Sequence, residues 1–125
     1  MLASNDFVAY CFAPVVGYSS VSSYVGNGSS DGPMVYTGFR PRWILLKASS
    51  ATGAWILHDT ARTTYNVMGN ELRPDDSTAE YAVDRFDLLS NGFKVRSSNA
   101  TLNTSSATYI YIAFAENPFQ YARAR

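Results

Sequence analysis

The chain has 125 residues, with ten basic and ten acidic side chains that cancel to a formal net charge of zero. That length suits one domain able to bury roughly two-thirds of its unfolded surface. The cations are eight Arg and two Lys scattered from Arg40 to Arg125, so the clustered positive footprint of a nucleic-acid binder is missing and no such partner is expected.

No apolar run approaches the roughly 20 residues of a membrane span, so no membrane insertion is expected, and residues 1–15 lack the basic start of a signal peptide. Cys11 is the single cysteine, which excludes an internal disulfide and a thiolate metal cluster. Lying in an apolar strand pattern, it reads as a small buried hydrophobe.

The composition is poor in helix formers and rich in Ser, Thr, Tyr, Val, Asn and Gly, which favours sheet and turn. The first strand-like run is residues 7–13, FVAYCFA. Residues 20–25 follow, then the turn signals Gly26-Asn27-Gly28 and Asp31-Gly32-Pro33, then residues 34–39. Residues 43–48 open with Trp43-Ile44-Leu45-Leu46, apolar on both faces, and residues 54–59 form the next run. Residues 60–84 show little strand pattern and are expected to form one long irregular loop, a natural interaction surface. At most, residues 77–83 hold a short helical turn. Residues 86–89 and 93–97 flank Asn91-Gly92, which predicts a two-residue hairpin turn with positive φ at both positions. Residues 108–115, TYIYIAFA, are again apolar on both faces. Such strands are central, covered on one side by an opposing sheet and on the other by loops or a neighbour. The pattern predicts an all-β fold, an antiparallel jelly-roll-like β-sandwich forming a single module over residues 1–125.

Little of this sequence points to catalysis. His58 is the only histidine, and Asp59 beside it on a strand faces the other way. No Gly-x-Ser-x-Gly turn is present, so His58 is expected to be a hydrogen-bonded or exposed strand residue. Glycoside cleavage needs two carboxyls across a cleft. Asp59, Asp75, Asp76, Glu80, Asp84 and Glu116 are available, but a compact sandwich leaves little room for one, and no catalytic residue is expected. The stretch GNGSSDG offers Asn27, Ser29 and Asp31 to calcium but only one carboxylate, and a Gly-rich turn explains the same letters. No Gly-rich loop opens a helix to cradle phosphate. Neither a metal nor a cofactor is expected.

Aromatic residues make up 14% of the chain, enough to fill a core and leave some rings over. Phe12, Phe39, Trp43, Phe93 and Phe114 are expected inside. Tyr24, Tyr36, Tyr65 and Tyr81 sit beside turns or in the long segment, where a ring with a polar tip suits sugar stacking or a protein interface. Together with Asn27 and Arg73 they form the candidate ligand or interface set.

The chain opens with a near copy of the strand that closes it. Laying residues 7–13 over 109–115 places Phe7 on Tyr109, Phe12 on Phe114 and Ala13 on Ala115. A surplus apolar strand must be paired or covered, which makes Phe7, Val8, Tyr10 and Phe12 a candidate oligomer interface. Several local motifs accompany the duplication: SSYVGNGSSDGPMVYTGFRPRWILLK, WILHDTARTTYNVMGNEL, and LLSNGFKVRSSNATLNTSSATYIYIAFAENPF. In combination they resemble a β-sandwich module recurring in tail and fibre virion proteins of tailed phages, especially marine and cyanobacterial ones. The resemblance implies tandem modules, with residues 7–13 similar to the closing strand of a preceding one. It implies a virion structural protein assembled in the host cytoplasm: a tail- or fibre-associated attachment module recognising host cell-surface carbohydrate or a receptor. The alternative it implies is a non-catalytic capsid decoration or tail accessory protein acting only through protein contacts. Other virion proteins are the implied partners, and a homotrimer the implied assembly.

Overall fold

The computed structural model describes residues 6–118; Ser4 and Asn5, and Phe119 of the closing motif, lie outside them. The elements are β1 (Ser19–Val25), β2 (Met34–Tyr36), β3 (Pro41–Ala48), β4 (Ile56–Asp59), β5 (Met68–Glu71), β6 (Tyr81–Leu89), β7 (Gly92–Val95), α1 (Ala100–Asn103) and β8 (Thr108–Ala115). They form two four-stranded sheets, a front sheet ordered β1-β8-β3-β4 and a back sheet ordered β2-β7-β6-β5. Every strand pairing within them is antiparallel. The all-β sandwich is the architecture expected.

Alternation along the strands builds the core. From β3 and β8, Ile44, Leu46, Tyr109, Tyr111 and Ala113 are buried. Val35, Met68, Phe86, Leu88, Phe93 and Val95 are buried from the back sheet. Phe93 is the hub, meeting Phe86, Tyr111 and Tyr24 edge-on with ring centroids 5.5, 5.4 and 6.1 Å away. Edge-to-face rings at this range gain electrostatic energy beyond their buried area. At the β4 end, Leu57 and Leu72 exchange backbone hydrogen bonds of 2.9 and 3.0 Å, tying the front sheet to the chain leaving β5. At the other end, buried Asn103 holds the β1–β2 loop. Its Oδ1 accepts from the Asn27 N–H at 2.8 Å, and its Nδ2 reaches Asn27, Ser29 and Ser97 oxygens at 2.7–3.0 Å.

Several expectations need correction. Residues 7–13 form no strand: they run as irregular chain, and the slot their pattern resembles, between β1 and β3, is already taken by β8. Phe12, expected in the core, is therefore 52% exposed, and Cys11 is exposed. The segment 60–84 is not one loop, because it contains β5 and the start of β6. Met-Gly-Asn-Glu carries no period-2 alternation, yet Met68 and Glu71 are both buried. Residues 77–83 stay within the limit of a short turn at most and hold no helix; the one described helix is α1, capped by Asn99, whose side chain accepts the Thr101 N–H.

The hairpin at Asn91-Gly92 exists, but its chemistry differs. Ser90 and Asn91 make the turn, Gly92 opposes Leu89 as the first residue of β7, and neither Asn91 nor Gly92 has a positive φ. Glycine is required for space: a Cβ at Gly92 meets the Val35 carbonyl oxygen at 2.1 Å. Gly92→Ala should therefore destabilise by about 1–3 kcal/mol through overpacking against β2. The urea midpoint checks this, and an unchanged midpoint contradicts the close approach.

Candidate functional site

The front sheet is apolar on its outer side as well. In register, Val21 of β1 pairs with Ile112 of β8, Ile112 with Leu45 of β3, and Leu45 with Leu57 of β4. Directly opposed residues share a face, so an aliphatic row crosses all four strands. Beside it Ile110 is exposed and Trp43, Trp55 and Phe114 are half-buried. Lys47 is the charge on this stretch of β3, and it bends aside. Its Nζ donates to the Gly53 carbonyl at 2.7 Å and lies 5.9 Å from the Trp55 ring centroid.

Residues 10–12 pass over this face and leave a groove of about 630 Å³. Tyr10, Cys11 and Phe12 form one wall, and Val21, Leu45, Trp55, Ile110 and Ile112 line the rest with Ser22 and Ser23. Phe12 rests edge-on against Phe114 at 6.4 Å, whereas Phe7, Val8 and Tyr10 are 80–87% exposed. The outer face of the back sheet is different in kind. There Met34, Lys94 and Asp87 lie in one row, with Arg96 Nε 3.3 Å from Asp87 and Lys94 Nζ 2.7 Å from Asp31.

The six residues expected to form a ligand set do not come together. Tyr24, expected at a turn, is core: it stacks on Tyr109 at 5.1 Å and donates its hydroxyl to the Leu102 carbonyl at 2.7 Å. Asn27 is engaged with Asn103 and the Asp31 carbonyl. Tyr36 and Tyr65 are exposed. Arg73 and Tyr81 do meet, with the guanidinium 4.1 Å from the ring centroid. The groove residues Val21, Leu45, Ile110 and Ile112 were not singled out by motif. The signal for Leu45, Ile110 and Ile112 is the two-faced apolarity of the β3 and β8 runs, which Val21 on β1 does not share.

A second polar feature lies at the far edge, under β4 and β5. Glu71, wholly buried, accepts Arg85 Nε at 2.7 Å and Arg73 Nε at 3.0 Å. His58 is 1% exposed, and neither ring nitrogen has a hydrogen-bond partner. The expected hydrogen-bonded or exposed histidine is thus replaced by a sealed one. It lies edge-on to Phe86 at 5.0 Å, with Nε2 4.0 Å from Glu71. Burial drives its pKa down to about 4. Glu71 pulls it up, Arg85 pushes it down, and the Asn70 backbone and Asp59 add smaller upward pulls. At neutral pH the ring is uncharged. Asp59 does not orient it, being engaged with the Ala61 and Arg62 N–H groups and the Arg62 guanidinium. His58 and Glu71 are thus both sealed from solvent between β4 and β5.

The acid dependence follows from that pKa. The unfolded chain binds the proton near pH 6.5 and the folded chain only near pH 4, so stability should fall as pH drops between those values. The loss should be about 3 kcal/mol, at roughly 1.4 kcal/mol per pH unit. His58→Leu should flatten the slope above pH 4, where the carboxylates of Asp31 and Asp76 (held low by Lys94 and Thr78) are still ionised. An unaltered slope in urea titrations contradicts the assignment.

The fold and groove together define an all-β sandwich with an apolar outer face on one sheet and a charged one on the other. The chain belongs to the DUF7483 family, a domain of unknown function, whose family model matches residues 1–118. No curated protein and no solved structure matches it.

Proposed function

We propose that the chain is a non-catalytic module of a tailed-phage virion, associated with the tail or fibre, that docks on other virion proteins through the outer face of its front sheet. The observation that carries this reading is the aliphatic row Val21–Ile112–Leu45–Leu57, continued by half-exposed Trp55 and exposed Ile110. Contiguous apolar surface that is left part-exposed in this way marks protein contact sites. The phage assignment is supported by the motif resemblance alone.

Of the two roles that the resemblance implies, contact with protein suits the groove better than contact with sugar. A carbohydrate site needs placed hydrogen-bonding groups beside its aromatic rings. This groove offers the hydroxyls of Tyr10, Ser22 and Ser23 among mostly apolar walls, and the Tyr81 ring carries Arg73 over it. Any part in host attachment then comes through the assembled tail or fibre. Packing of copies through the same face, with exposed Phe7, Val8 and Tyr10, completes the proposal as a homotrimer.

Ile110→Glu tests the docking face, because Ile110 is 43% exposed and the change should alter folding stability by less than about 1 kcal/mol. Supplied during particle assembly, the variant should fold normally yet fail to enter particles. Normal incorporation contradicts the proposal, as does depolymerisation of host-envelope polysaccharide by the wild-type chain.

A further inference from the structure

β1 is an edge strand whose outer edge, among the described residues, takes no strand partner beyond a single bridge to Val15. The Ala115 N–H donates to the Tyr18 carbonyl and the Gly26 N–H to the Ala107 carbonyl, so the even-numbered residues of β1 bond to β8. Antiparallel ladders alternate. Val21, Ser23 and Val25 therefore aim their N–H and C=O groups at the open edge. The sequence Ser19–Val25 has no charge or proline, and its pairing with β8 has no register shift, the devices that ordinarily blunt such an edge.

The chain just before β1 begins to fill that edge and stops. Val15 and Ser19 exchange both backbone hydrogen bonds, at 3.0 and 2.9 Å, across a turn containing Gly17 at φ +75°. Carrying that register backwards sets Ala13 opposite Val21, Cys11 opposite Ser23 and Ala9 opposite Val25, all as hydrogen-bonded pairs. Pro14, Phe12 and Tyr10 then face Ser20, Ser22 and Tyr24 in the non-bonded positions. Pro14, the only residue of 7–15 without an N–H, thus falls where none is needed.

We propose that the open edge of β1 is a seat for residues 7–13, which zip onto it as a fifth strand of the front sheet. Zipping is incompatible with the placement seen here. Paired with Ser22, Phe12 turns to the inner side, the side of Tyr24, and leaves Phe114. Residues 10–12 then no longer wall the groove, and the outer face stands open. The segment covers either the face or the edge, which makes it a strap controlling access to the docking surface. That consequence rests on the docking proposal; the strand seat itself does not.

The test is a disulfide trap in the full chain carrying Cys11→Ser, Phe12→Cys and Ser22→Cys. A non-bonded antiparallel pair has Cα atoms about 4.5 Å apart, within disulfide reach. Oxidation of dilute protein should give an intramolecular cross-link roughly tenfold more abundant than in a control pairing Phe12→Cys with Val21→Cys, one residue out of register. Equal yields overturn the proposal, and so do cross-links that join two chains only. In the unmutated chain, amides of Val21 and Ser23 should exchange roughly tenfold more slowly than in a variant whose residues 7–13 are replaced by Gly and Ser. Equal exchange overturns it as well. The cross-link is read in the isolated chain and docking only in particles, so a failed docking proposal and a failed strand seat give different results.

Discussion

Everything in this sandwich depends on β8 lying between β1 and β3. Its inward residues Tyr109, Tyr111, Ala113 and Ala115 are buried, and its outward residues Ile110, Ile112 and Phe114 are apolar too. β3 repeats the arrangement, with Ile44 and Leu46 inward and Trp43 and Leu45 outward. Antiparallel sheets commonly bury one face and wet the other. A sheet whose central strands are apolar on both sides needs two covers. The back sheet supplies the inner one, and residues 10–12 supply only part of the outer one.

The two ends of the sandwich are closed by polar groups rather than by more hydrocarbon. Asn103 uses its amide to hold the β1–β2 loop, and Glu71 draws Arg73 and Arg85 under β4. Removing one member of such a buried network leaves the others desolvated and unpaired, so these sites specify the closure as well as stabilising it. His58 fits the same design. Its uncharged ring fills space against Phe86, and acid turns that filler into a desolvated charge that Glu71 offsets only in part and Arg85 opposes. The one histidine of the chain is thus packed into the sandwich, and the exposed side of the front sheet is largely hydrocarbon.

Much of the architecture was legible in the sequence because period-2 alternation and turn residues report sheet geometry directly. Residues 108–115 coincide with β8, and the two-faced apolarity of β3 and β8 already required a cover on each side. The misreadings share a cause: each depended on a contact distant in sequence. Residues 7–13 look like a strand, but strand formation needs a free slot, and β8 occupies the one they resemble. Gly92 looked like a turn glycine, whereas its constraint comes from the Val35 carbonyl on β2. β5 was invisible because Met68 and Glu71 are buried by opposite kinds of interaction, packing for one and ion pairing for the other. Tyr24 looked available beside its turn until α1 presented the Leu102 carbonyl to its hydroxyl.

The contrast between the faces, aliphatic in front and charged behind, is the property from which the functional account grows. Photochemical carbene labelling of side chains, in the isolated chain and in intact particles, tests it most directly. Leu45, Ile110 and Ile112 should be labelled in the isolated chain and protected in the particle, while Tyr36 and Asp87 should label alike in both. Equal labelling of the front face in both states, with protection confined to the back sheet, contradicts it.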